Sequence, residues 1–204
     1  MPVRVQRTVR VPPSAPSPPP SATDAAKEKS PLTPEALGPP LVVQLPVPYV
    51  HQEQTEWCWA ACAQMMAAYF GDPAARQCFS ANWLYGQSAC CWVPQNPACN
   101  APCPIDLVSV VLFHWGMQSQ YHDGPVPFGV LQAELGAGRP VEVGYVYPGG
   151  SGHVAVVVGW GGDLEGPVVM VNDPWVGPGE VSYASLRKAY GSGEWRFTWT
   201  GIGR

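Results

Sequence analysis

A single cysteine stands between two tryptophans in Gln52-Glu53-Gln54-Thr55-Glu56-Trp57-Cys58-Trp59-Ala60, at what reads as the start of a helix. The reactive species of cysteine is the thiolate, and a free thiol with a pKa near ~8.5 is mostly protonated at neutral pH. Two devices favour the thiolate: the positive end of a helix and a nearby imidazolium. Cys58 has the first by position; the second must come from elsewhere in the fold. Of His51, His114, His122 and His153, the last is best placed, because it opens the apolar run His153-Val154-Ala155-Val156-Val157-Val158 behind a Gly/Ser loop ending in Gly152. A strand would hold the imidazole rigidly, and the small residues before it leave room for another backbone or a substrate. Twenty residues on, a second apolar run ends in Val171-Asn172-Asp173-Pro174. Antiparallel neighbours would bring Asp173 beside His153, where a carboxylate fixes the tautomer and stabilises the imidazolium. Gln52, six residues before Cys58, offers a side-chain amide N–H. With the backbone N–H of Cys58 it could stabilise the oxyanion of an acyl-transfer intermediate.

The other chemically able residues have plainer readings. Cys62, one helical turn after Cys58, suits the core or half of a disulfide. His51 fits the cleft rim or the surface, His114 the interior of an apolar helix, and His122 a turn in Tyr121-His122-Asp123-Gly124. Trp57 and Trp59 serve either packing or substrate contact. Five cysteines (Cys78, Cys90, Cys91, Cys99 and Cys103) fall within 26 residues, with intervening gaps of 11, 0, 7 and 3. Zinc ribbons use paired two-residue gaps, so this spacing is a poor metal signature. Disulfides stapling a loop fit better, with Cys62 as the sixth partner, and their connectivity stays open. No metal and no cofactor are expected.

The elements that must position these groups follow from pattern and punctuation. Leu41-Val42-Val43-Gln44-Leu45-Pro46-Val47-Pro48 reads as an extended lead-in or edge strand. A helix is expected from about Trp57 to Phe70, rich in Ala and Met, with Thr55 as N-cap and Gly71 and Pro73 closing it. It is apolar almost all round, hence central and buried. From Gly71 to Pro104 the chain reads as an irregular loop. Helices are expected again near Ile105–Trp115 and Phe128–Leu135. The period then changes to that of strands in residues 140–147, 153–160, 167–173 and 194–199, with a short helix near Tyr183–Tyr190. Helices first and antiparallel strands second indicate an α+β domain.

The chain has 204 residues, of which 46% are hydrophobic and 13% charged, enough apolar surface for one sizeable core. A formal net charge of -4 argues against a nucleic-acid partner. No run approaches the ~18 apolar residues of a membrane-spanning helix. Residues 1–41 are expected to be a disordered, proline-rich arm, since 11 of the 25 prolines and no aromatic residue lie in residues 1–40. The folded domain is then 42–204. The basic N-terminus has no apolar stretch behind it, so no standard secretory signal is visible. Disulfides nonetheless imply an oxidising destination, and the chain is expected to be secreted or delivered to a target cell.

Gln52, then Trp57-Cys58-Trp59-Ala60, then His153 on a strand, then Asp173-Pro174, resembles the papain-like cysteine peptidase superfamily. Together with Tyr49-Val50, the pattern is most similar to the AvrRpt2-type effector peptidases and the C39-like bacterial peptidases. The resemblance spans about residues 45–200. It implies a two-lobed papain-like fold, with a central helix carrying the nucleophile against an antiparallel sheet or barrel lobe. It also implies peptide-bond hydrolysis through a thioester without metal, catalysed by Cys58, His153, Asp173 and Gln52. Papain itself has asparagine in the third role, so Asn172 is held in reserve beside Asp173. Trp57, Trp59 and Gly152 are the expected substrate contacts. Expected partners are a protein or peptide substrate and a cognate inhibitor or immunity protein, with the chain itself a monomer. Two alternatives share the scaffold: an acyl transferase or deamidase acting on glutamine or amide groups, and a non-catalytic binding module.

Overall fold

The computed structural model describes residues 42–163 and 166–204. The proline-rich arm expected over 1–41 lies outside these residues. Helix α1 (Cys58–Tyr69) is the axis of the domain, with eight of its 12 residues buried. Ala, Cys and Met fill all its faces because it packs on α2 (Gln77–Tyr85) and α3 (Val108–His114) on one side and on the sheet on the other. It starts one residue later than expected, and Thr55 is not its cap. Trp57 occupies that position with no side-chain capping bond, while Thr55 Oγ1 accepts a bond from Asn100. At the far end Gly71, at φ +93°, supplies the turn that a side chain would resist.

Seven antiparallel strands form one sheet among the described residues: β1 (Val43–Gln44), β2 (Gln118–Asp123), β3 (Val141–Val146), β4 (Gly152–Asp163), β5 (Gly166–Asp173), β6 (Gly177–Ser182) and β7 (Glu194–Gly203). Their order is β2-β7-β3-β4-β5-β6, with β1 pairing the far half of β4. The sheet is open rather than closed into a barrel. Helix α4 (Phe128–Gly136) packs against β4, β3 and β1. The short α5 (Tyr183–Leu186) is capped by Ser182 Oγ, which accepts from Ser185 N–H at 3.1 Å. The architecture is the expected α+β one, a central helix carrying Cys58 against an antiparallel sheet.

Register explains how the strands aim their side chains. Val156 of β4 faces Asn172 of β5, so Asp173 falls beside Ala155. His153, two residues from Ala155, shares that face, because side chains alternate with period two. Tyr145 of β3 is directly opposite His153. Asn172 points to the other face, where its Nδ2 donates to the Val47 carbonyl at 3.0 Å and ties β5 to the lead-in.

Five features depart from the sequence reading. The segment 71–104 contains α2, and two edge strands, β2 and β6, lie where no strand was expected. Two disulfides form, Cys78–Cys91 and Cys90–Cys99, whereas Cys62 and Cys103 are free. Cys62 is fully buried on α1 and its thiol points at the Val154 carbonyl at 3.5 Å. It therefore stays in the core and joins no bridge. His114 is exposed, stacked on Trp83 with centroids 4.1 Å apart, not in the core. His122 lies within β2, its Nε2 2.6 Å from Thr200 Oγ1, not in a turn.

Candidate active site

Helix α1 delivers Cys58 at its first residue, where the backbone N–H groups have no intrahelical acceptors. No acidic side chain lies in that first turn. Strand β4 delivers His153 from the sheet. The Cys58 thiol and the His153 imidazole line one cavity of about 420 Å³, and the sulfur is near enough to favour the charged ring. On its other side the imidazole meets Asp173, with Nε2 2.8 Å from Oδ1. Nδ1 is thereby the nitrogen left for the sulfur. Of the two neighbours Asn172 and Asp173, it is Asp173 that reaches the ring.

Asp173 is held as firmly as it holds. Its Oδ1 also accepts the backbone N–H groups of Trp175 at 2.9 Å and Val176 at 3.1 Å, closing the turn after β5. Burial opposes its charge, but the His153 contact and these two N–H groups keep the carboxyl below its ordinary range. Burial alone would also lower His153. Hydrogen bonds to Asp173 and Cys58, together with the negative charge of both, outweigh it and raise the imidazole to about 9. The ring therefore keeps its proton through neutral pH, the state an imidazolium–thiolate pair requires. Tyr145 stacks on it at 6.4 Å between centroids, and the Tyr145 hydroxyl donates to that of Tyr190 at 3.3 Å. Tyr190 sits at φ +59° in a tight turn over 189–191, an uncommon backbone for a bulky residue. Nothing in the sequence singled out either tyrosine.

The two tryptophans around Cys58 prove to be fasteners. Trp57 Nε1 donates to the Cys99 carbonyl at 2.7 Å and Trp59 Nε1 to the Ala101 carbonyl at 3.3 Å. Asn100, between those acceptors, takes the Glu56 backbone N–H at 3.0 Å and donates to Thr55 Oγ1 at 2.9 Å. The disulfide-bonded loop thus grips the segment on both sides of the thiol. Trp57 is 0% exposed, so it offers no surface to a substrate, contrary to the expectation. Trp59 and Gly152 do line the cavity that holds Cys58.

Gln52 is buried on the opposite flank of His153, in a second cavity of about 540 Å³ shared with Tyr147, Trp175 and Tyr190. Its Nε2 donates to the Gln54 carbonyl at 2.8 Å and the Thr55 carbonyl at 2.9 Å. Turning the amide over would set its oxygen against two carbonyls, so this orientation is the chemically sound one. Gln77 steadies the same stretch by accepting from Glu53 N–H and donating to the His51 carbonyl, both at 2.8 Å. His51 itself is on the rim, stacked on Trp175. The two cavities meet at Ser151, Gly152 and His153, with the sulfur in the first and Gln52 in the second. Among the described residues no group of three or more His, Cys, Asp or Glu side chains is arranged to hold a metal, and no helix is long and apolar enough to cross a membrane.

Comparison with known proteins places this geometry in context. The model of the Peptidase_C39 like family matches residues 44–199. No curated protein matches the chain. Among solved structures, the chain is similar to a double glycine motif protease from an AMS/PCAT transporter, crystallised in complex with the leader peptide. That likeness has 14% identity, covers 78% of this chain and 92% of the other, and has a TM-score of 0.49. It is also similar to the Pseudomonas avirulence protein AvrPphB, at 9% identity, with 78% and 98% coverage and a TM-score of 0.40. Both likenesses are distant, and it is the family match that carries weight.

Proposed function

Because the chain belongs to the Peptidase_C39 like family and is thus a cysteine peptidase, we propose that it is a thiol endopeptidase cleaving a polypeptide substrate through a thioester on Cys58. The observation that carries this reading is the convergence of Cys58 from α1 and His153 from β4 on one cavity, with Asp173 of β5 2.8 Å behind the ring. In the proposed cycle the Cys58 thiolate attacks the scissile carbonyl, and the oxyanion that forms faces the free N–H groups at the start of α1. His153 gives its proton to the departing amine, leaving a thioester. The neutral imidazole then takes a proton from water, which attacks the thioester and frees the acid. Asp173 holds the ring and supports its charge throughout.

Gln52 is proposed as the second oxyanion donor. Both its N–H groups rest on loop carbonyls in the substrate-free protein, so it serves by moving one of them to the developing charge. Gln52→Ala is expected to lower kcat by about 10²–10³ while KM changes little.

The deciding measurement is hydrolysis of a mixed peptide library read by mass spectrometry. Wild type should split chains and Cys58→Ala should not. Products heavier by about one mass unit, with no cleavage, would point instead to deamidation. Retained cleavage by Cys58→Ala would remove the reading altogether. The two disulfides support a further part of the proposal, that the enzyme works outside a reducing cytosol as a secreted effector or toxin domain. An immunity protein or inhibitor that blocks the cleft would suit that role.

A further inference from the structure

Seven cysteines minus four in disulfides leave three thiols: Cys58, Cys62 and Cys103. Cys62 is sealed in the core. Cys58 and Cys103 are both partly accessible, and they line the same cavity of about 420 Å³. What brings them together is the grip described above. The Ala101 carbonyl takes the indole N–H of Trp59 and, at 2.8 Å, the hydroxyl of Tyr85. This pins the strand of chain two residues before Cys103 against the residue next to Cys58. Prolines on both sides of Cys103 keep that strand extended and out of the helix that follows.

We propose that Cys103 is the resolving thiol of Cys58: when a peroxide oxidises Cys58, Cys103 captures it as an intramolecular disulfide and holds the enzyme in a recoverable, inactive form. The inference rests on Cys58 being the reactive thiol, as proposed above. In the first step the Cys58 thiolate attacks hydrogen peroxide. The O–O bond breaks, an S–O bond forms, sulfur loses two electrons, and hydroxide leaves. In the second, the Cys103 sulfur attacks the Cys58 sulfenic acid, the S–O bond breaks, and the Cys103 proton departs with the oxygen as water. A dithiol later returns both thiols.

The order of events is set by the surroundings of each sulfur. Burial, with the charges of Glu142 and Cys58 adding to it, pushes Cys103 up to about 12, so it is a protonated thiol and reacts slowly with peroxide. Cys58 stands against an imidazolium and is oxidised first. Its sulfenic acid is neutral, which removes one of the charges that kept Cys103 protonated.

The test treats the full chain with a small molar excess of hydrogen peroxide, alkylates free thiols, and maps peptides without reduction. The expected product is a cross-link between the Cys58 and Cys103 peptides within one molecule, with activity lost and then restored by dithiothreitol. For Cys103→Ser, each value being scaled to that variant's untreated activity, recovery should fall roughly tenfold as Cys58 goes on to sulfinic acid. Cys103→Ala guards against a folding artefact of the serine. Cys58 sulfinic acid beside a free Cys103 in wild type, a cross-link only between molecules, or equal recovery in both variants and wild type would overturn the proposal. The peptide map needs no peptidase activity. A cross-linking chain that cleaves nothing would therefore count against the proposed hydrolysis and leave this inference standing.

Discussion

Asp173 Oδ1 accepts three hydrogen bonds, one from His153 and two from the turn that follows. An asparagine there can keep the oxygen and the turn but not the charge. Asp173→Asn should therefore fold normally and yet hold the His153 proton less tightly. The alkaline limb of the kcat/KM profile, set by His153 near 9, should move to lower pH. Activity at neutral pH should drop by roughly ten- to a hundredfold; steady-state kinetics across pH 6–10 checks both. The residues of this site were legible because chemistry restricts the choice. A thiol at a helix start, a histidine opening a strand and an acid ending the next strand have few other reasons to occur in that order. What they touch was less legible. That Gln52 spends its amide on its own loop rests on local backbone geometry, and that Trp57 is fully enclosed depends on Cys99, far off in sequence.

At the scale of elements, the loop closed by Cys90–Cys99 works as a clamp on the start of α1. Replacing both cysteines by serine should cost about 2–3 kcal/mol of stability in urea unfolding. It should also lower kcat of the molecules that remain folded, because the Cys99 and Ala101 carbonyls that fix Trp57 and Trp59 would wander. An unchanged kcat would show that the clamp serves stability alone. Strands with two partners, such as β3, β4 and β5, announced themselves by runs of Val. The edge strands did not. Gln118–Asp123 is polar and half-exposed, and Gly177–Ser182 opens Gly-Pro-Gly, because an edge with one neighbour and a wet face needs no apolar alternation. Helix α2 was hidden for another reason. Its sequence Gln-Cys-Phe-Ser-Ala-Asn-Trp-Leu-Tyr has no clean helical stripe, and Phe79 and Trp83 stay exposed while Cys78 is bridged to Cys91. Tertiary and covalent ties outweigh propensity there.

At the scale of the whole molecule, two buried groups make stability depend on pH in the same direction. Glu142 on β3 is completely enclosed with neither oxygen hydrogen-bonded, and burial raises it to about 8. His153 is raised to about 9. A group with a raised folded pKa stabilises the native state fully below its unfolded value, and that stability is lost as pH climbs to the folded one. The chain should thus weaken between about pH 4.5 and 8 through Glu142, and between about 6.5 and 9 through His153. The depressed carboxyl of Asp173 acts oppositely, its contribution fading only as acid protonates it. Urea midpoints at pH 5, 7 and 9 should fall in that order, and Glu142→Gln should flatten the fall between pH 5 and 8. The topology has one more consequence. Strand β7 follows the other six described strands in sequence yet lies between β2 and β3. On the ribosome, then, β2 emerges with no neighbour at all and β3 with one bare edge, and both must wait for residues 194–203. Assembly of this half of the sheet therefore waits on that strand, and a nascent chain stalled short of it would expose two sticky edges to whatever chaperone stands nearby.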